Sequence, residues 1–352
     1  SPINGNDDND GLSEDDSLAT LEKALSLISA GDTILLHAGR YLEGDLEITQ
    51  SGTQNQPIVI KNAPGENPVL DGTDTDFQAN WQEYSPGIYR TQTSREPRKA
   101  FLDGGQLYHY AALNDLLDNK WGQPGGYHND GSYIYIMFPD GATPEDHTFT
   151  IPRYTNGLVI NQKSHIHIKG LEFAYYGYGA YHQAIYIDGG DYNLIDNCYF
   201  HHVMKGVSFK RAADFNVVQN CRFNESPIIT WDWNAIKTGG IGYESGGVSV
   251  YASVQRSEGN VVRYNEFYDL FDASGIGSMD IEGPTTNFDY HDNKILYCND
   301  DGLEVDGANI NTRVYNNLFD GCLAGVSAAP NAIGPTYFIR NTIVNWHPVE
   351  PY

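Results

Sequence analysis

The feature that most constrains this chain is a repeat between residues 165 and 343. The segments IKGLEF, IDNCYF, VQNCRF, VRYNEF, YHDNKI, VYNNLF and FIRNTI share one frame: an apolar residue, then Leu, Cys or Asn three later, then an apolar residue two beyond. The shared column reads Leu171, Cys198, Cys221, Asn265, Asn293, Asn317 and Asn341, at successive spacings of 27, 23, 44, 28, 24 and 24. One turn therefore takes about 24 residues, and the spacing of 44 is one turn carrying about 20 more. Such a period, with short alternating strands, corner glycines and no helical spacing, predicts an all-β parallel solenoid whose coils stack about 4.8 Å apart. A stacked Asn can hydrogen-bond to the backbone of the neighbouring coil and so satisfy polar groups at a sharp turn in every coil. Cys198 and Cys221 fall in this ladder, and Cys298 and Cys322 share a second inward column. Parallel Cβ vectors suit a disulfide poorly, so the reading is buried free thiols.

Charge removes whole classes of function. The 21 Lys and Arg face 46 Asp and Glu, a net charge of -25, and such a field repels the phosphates of nucleic acid. No apolar run approaches the roughly 18 residues of a membrane helix. The first residues are polar and acidic, so no signal peptide is visible, although a mature secreted chain reads the same way. With 12% aromatic residues and regular apolar spacing, the chain beyond its leader is folded rather than disordered.

Residues 1–16 read as an acidic leader and residues 17–72 as a capping helix followed by the first coils. Leu18, Leu21, Leu25 and Ile28 are spaced as an amphipathic helix, with Asp15, Asp16 or Ser17 available as N-cap. Residues 73–157 break the period with the strand-like pieces GIYRTQ, SYIYIMF and HTFTIP, a small antiparallel insertion. Coils resume over 158–352. Pro351 and Tyr352 follow the last ladder residue too closely for a cap, which predicts that the chain continues or that another chain covers this end.

The run Gly31-Asp32-Thr33-Ile34 to Gly39-Arg40-Tyr41, then Pro57-Ile58-Val59-Ile60 and Pro68-Val69-Leu70-Asp71-Gly72, resembles the opening of right-handed parallel β-helix enzymes that act on polysaccharides. These are chondroitinase B-type and pectate-lyase-type lyases and several β-helix glycoside hydrolases. The resemblance spans most of the chain apart from residues 73–157, and it implies a secreted or periplasmic enzyme with a polysaccharide or oligosaccharide substrate. The opening is common to lyases and hydrolases, so it implies the fold more specifically than the reaction.

Aligning AIYIDG, GVSFKR, GVSVYA, MDIEGP, LEVDGA and GVSAAP by strand alternation gives two outward columns. One is Tyr186, Ser208, Ser249, Asp280, Glu304 and Ser327; the other is Asp188, Lys210, Tyr251, Glu282, Asp306 and Ala329. This places four carboxylates on one patch, with backbone separations of about 4.8 to 8 Å. That range brackets the windows for retaining and inverting glycoside hydrolysis. Crowded carboxylates raise one another's pKa, as a general acid requires. Glu304, Asp306, Asp280 and Glu282 are thus the candidate acid and base. The same patch also reads as a solvated acidic surface, or as a calcium site with Asp300 and Asp301 as oxygen ligands. The extra residues of the long coil bring Trp231 and Trp233 nearby, either as walls of a sugar subsite or as packing for the loop. Tyr178 lies in an aromatic stretch that extends the same corner.

Lys210 with Tyr251 is the nearest match to the base of the resembled lyases, which remove the proton beside a uronate carboxylate, aided by a cation or Ca²⁺. The chain departs from that pattern in having no clear Lys and Arg pair on neighbouring coils. Three readings remain open: a glycoside hydrolase needing no cofactor, a Ca²⁺-assisted lyase, and a non-catalytic carbohydrate-binding solenoid.

Overall fold

The computed structural model describes residues 1–139, 142–179, 182–224, 228–239, 246–251, 255–277 and 281–346. It is a parallel β-helix. Two nine-stranded parallel sheets run its length, one from Thr33–Leu36 to Thr336–Ile339 and the other from Gly39–Tyr41 to Thr342–Val344. A third, six-stranded sheet runs from Leu46–Glu47 to Asp272–Gly277. Each coil thus contributes one short strand to each of the two long sheets.

The ladder forms as its spacing predicts. Asn293 Oδ1 accepts from the Asn265 backbone N–H at 3.0 Å, and Asn293 Nδ2 donates to Val262 O at 3.0 Å. Asn265, Asn317 and Asn341 repeat the pattern, and Cys221 donates its N–H to Asn265 Oδ1 at 2.9 Å. The residue before each rung turns the chain in the left-handed region: Gly170, Asn197, Asn220, Tyr264, Asp292, Asn316 and Arg340 all have positive φ. A second ladder escaped the sequence reading. Asn193, Asn216 and Asn260, all buried, pass the same bonds from coil to coil at the other corner. Inside, Phe173, Phe200, Phe223 and Phe267 stack with centroids 4.8 to 5.0 Å apart. The four cysteines are free and buried.

The N-terminal helix is Leu21–Leu27, capped by Thr20 rather than by Asp15, Asp16 or Ser17. Asp7 decides this: its carboxylate accepts from the Ala19 and Thr20 N–H groups and the Thr20 hydroxyl, fixing the entry of the chain. Leu21 and Leu25 cover the first coil. At the opposite end, Phe338, Ile339, Ile343 and Trp346 are exposed on the last described coil, which has none stacked on it among the described residues. Pro351 and Tyr352 lie outside the described residues. No described helix is long and apolar enough to cross a membrane.

The insertion builds a five-stranded sheet, antiparallel except where Tyr108–His109 meets Gly126–Asn129, and a small three-stranded antiparallel sheet.

Candidate active site

The insertion leaves after the second strand of its coil, Pro68–Asp71, and rejoins at the third, Leu158–Asn161. The extra residues of the long coil also lie between its second and third strands, Arg222–Asn224 and Gly246–Tyr251. Both excursions therefore rise from the same corner of the helix, and they meet. The Tyr108 hydroxyl donates to Ala235 O, and the Tyr108 ring packs edge-on against Trp231 at 5.3 Å. Tyr108, Tyr110, Leu116, Ile228, Trp231, Ile236 and Phe271 form one apolar cluster across the junction. Asn299 ties the loop down, donating from Nδ2 to Ile228 O at 2.9 Å and to Trp231 O at 2.8 Å. Asp269 accepts from the Ile229 N–H at 2.6 Å.

At this corner the strand register differs from the sequence alignment. The strand stacked on Gly246–Tyr251 is Asp272–Gly277, not the segment around MDIEGP, and Gly275 is the bridge partner of Glu304. Gly275 and Gly277 therefore hold the positions assigned to Asp280 and Glu282. Glu282 lies beyond the strand and is exposed, and Asp280 is outside the described residues. The misalignment has a local cause: DASGIG is short, small and weakly alternating, whereas MDIEGP imitates LEVDGA in its acids.

The correct register brings in Asp272. Its carboxylate lies with those of Asp300 and Asp301, one oxygen from each within 4.8 Å of the others, and all three residues are buried. The Asp301 N–H donates to Asp272 Oδ1 at 3.2 Å. Two glycines give the neighbouring side chains room. A Cβ on Gly246 would lie 3.3 Å from Lys205 Nζ, so this ammonium sits over Gly246, whose register partner is Asp272. A Cβ on Gly275 would lie 3.5 Å from Glu304 Oε2, so that carboxylate reaches across the strand below its own. On the other side Lys237 Nζ is 3.6 Å from Asp300 Oδ2.

Burial and crowding shift these acids. Desolvation, then Glu304, push the Asp272 carboxyl far above its ordinary range, against the pull of Lys205. Asp301 is pushed up to about 7, by burial first and then by Asp300, Glu304 and Asp306. Glu304 is raised by burial and Asp306 and held down by Lys205 and Lys237. Asp306, two residues along, accepts from the Ala329 N–H at 2.8 Å. The cluster thus holds protons near neutrality beside two fixed cations.

A divalent cation would find three carboxylate ligands in Asp272, Asp300 and Asp301, the last two being those assigned to calcium from sequence. Calcium takes six to eight oxygens. Lys205 and Lys237 already supply positive charge here, which suits proton transfer better than a cage for Ca²⁺.

The other sequence candidates divide. Trp231 is 6% exposed and packs edge-on against Tyr108, so it joins the loop to the insertion. Trp233 packs half-buried against the same cluster. The Tyr178 hydroxyl accepts from the Glu96 N–H and its carbonyl from the Arg98 N–H at 3.0 Å, which pins the insertion to the helix. Lys210 lies 5.8 Å from the Tyr186 ring centroid, with its pKa lowered by burial. It stands at the far end of its strand from Lys205, about 17 Å along the backbone, so Lys205 is the cation of this strand that serves the cluster. Only the backbone of Tyr251 is described.

A family model described as right handed beta helix region matches residues 156–343. The chain belongs to this β-helix family. No characterised protein matches this β-helix chain in sequence. Among solved structures it is similar in fold to XylC in complex with xylose, at 16% identity and a TM-score of 0.57, covering 92% of this chain and 68% of that one. It is also similar to a structure described as a glycoside hydrolase, at 12% identity and a TM-score of 0.66, covering 98% and 88%.

Proposed function

We propose that this β-helix protein is a glycoside hydrolase acting on a poly- or oligosaccharide, in a secreted or periplasmic setting. Asp301 delivers a proton to the glycosidic oxygen, and Glu304, the more exposed carboxylate, acts on the anomeric side. The observation that carries this reading is the carboxylate cluster on two adjacent coils, in which burial and like charge lift Asp301 to about 7. Glycosidases need one carboxyl that keeps its proton near neutrality beside another that works as base or nucleophile. Asp300, Glu304 and Asp306 set the field that holds the proton, and Lys205 and Lys237 keep the cluster from being wholly protonated. The described fold-neighbours, a glycoside hydrolase and a xylose-bound protein, agree with this class at the level of fold.

The mutual approach of Asp272, Asp300 and Asp301 also favours a second reading, Ca²⁺-assisted elimination on a uronate glycan with Lys205 beside the proton removed. One assay separates them. On a polysaccharide panel with and without EDTA, new reducing ends without absorbance of an unsaturated uronide, unaffected by chelation, support hydrolysis. Reducing ends together with that absorbance, lost in EDTA, support elimination. No turnover on any glycan leaves a binding solenoid and rejects both.

A further inference from the structure

Between the insertion and the loop of the long coil lies a pocket of about 620 Å³ that the carboxylate cluster does not use. Small-molecule sites run from roughly 300 to 1,000 Å³. The insertion contributes Asp103, Gln106, Trp121 and His147 to its lining, and the loop contributes Trp231 and Asp232. Three side-chain nitrogens on these residues, Gln106 Nε2, Trp121 Nε1 and His147 Nε2, are shielded from solvent and have no hydrogen-bond partner. Buried polar atoms are nearly always paired, so three orphans around one cavity point to a ligand that pairs them.

Each nitrogen is set from behind. Gln106 Oε1 accepts from the buried Lys99 Nζ at 3.4 Å, and Lys99 also donates to Val203 O at 3.0 Å, which leaves the amide NH₂ as the unpaired end. His147 Nδ1 lies 2.6 Å from Asp103 Oδ2, so Nδ1 carries a proton toward that carboxylate and Nε2 is the unpaired nitrogen. The turn bearing Trp121 is braced by Asn119, whose Oδ1 accepts from the Tyr110 hydroxyl at 2.7 Å and the Gln123 N–H at 2.9 Å. The set is two N–H donors and one imidazole nitrogen beside two indole rings. Hydroxyl groups satisfy both kinds of partner, and the C–H face of a sugar packs on indole carbon. Asp103 and Asp232 disfavour an anionic ligand.

We propose that this pocket is a second carbohydrate site, distinct from the carboxylate cluster, that binds one neutral sugar unit. Small side-chain rotations of the kind ligands impose bring the three nitrogens onto its hydroxyls. The proposal stands on the pocket alone and is independent of the hydrolytic reading.

The test is titration of the ¹⁵N-labelled protein with the methyl β-glycosides of xylose, glucose and galactose, with glucuronate as the anionic control. The readout is the Trp121 indole N–H, identified by its loss in Trp121→Phe. The expected result is a saturable shift with at least one neutral glycoside and none with glucuronate. Gln106→Leu should weaken binding about three- to tenfold, while Glu304→Gln leaves it unchanged. Should thermal melting show Gln106→Leu misfolded, His147→Phe replaces it. An indole unmoved by all three glycosides, affinity unchanged by the pocket substitution, glucuronate binding as tight, or loss of binding in Glu304→Gln would each overturn the proposal.

Discussion

Asp301 and Lys205 show how single residues here depend on their neighbours. Asp301 holds its proton because burial and three nearby acids oppose its charge. If it is the general acid, kcat/KM falls as pH rises through about 7, and Asp301→Asn lowers kcat by about 10²-fold or more and removes that limb of the profile. Near-normal turnover in Asp301→Asn would reject its role. Lys205 acts in the opposite sense, lowering the pKa values of Asp272 and Glu304. Lys205→Met leaves those carboxyls holding protons to higher pH, so the acid limb, set by ionisation of Glu304, moves upward; a limb that stays in place would show that the ammonium does not act on Glu304.

At the scale of elements, the corner ladders and the anchored loop carry separate loads. Asn293 accepts twice from Asn265 and donates to Val262 O and Asn317 Oδ1. At about 0.5–1.5 kcal/mol net for each of these bonds, Asn293→Ala should destabilise the helix by about 2–6 kcal/mol, read as a lower denaturation midpoint. Asn299 instead fastens the loop that brings Lys237 to Asp300. Asn299→Ala should cut activity several-fold while shifting Tm far less than Asn293→Ala does; equal loss of Tm would mean that the loop is part of the core.

For the whole molecule, the pH dependence of stability carries a contribution from the cluster whose sign is fixed. Asp301, Asp272 and Glu304 all have folded pKa values above the unfolded ones. Their contribution is therefore complete below about pH 4 and is lost as pH rises through their folded values, for Asp301 about 7. Asp7, Glu66, Asp103 and Asp130 are shifted downward, and their contribution is lost as pH falls through their folded values. Buried His109 and half-buried His202, lowered to about 3 and about 4, pull the other way, so the cluster's share is read by difference: relative to the parent protein, Asp301→Asn raises Tm at pH 8 more than at pH 5. An unchanged pH dependence of Tm in Asp301→Asn would contradict the buried-acid account.

The repeat determined the solenoid because one Asn or Cys per turn, followed at a fixed distance by an apolar residue, has a single way to satisfy its amide and bury its neighbour in every coil. It also located Glu304, Asp300 and Asp301, which sit on a coil of regular length. Asp272 and Lys205 were hidden. Their meeting depends on which strand follows the long coil, and the weakly patterned DASGIG lost to the acidic look-alike MDIEGP in any alignment by alternation. The second Asn ladder repeats the spacings of 23 and 44 seen in the first, but three rungs at the opposite corner made a fainter signal. Local pattern is enough where each coil repeats the last. Only the tertiary structure decided what the two excursions do, because their shared corner, and the burial of Trp231 between them, arises from stacking and not from any spacing along the chain.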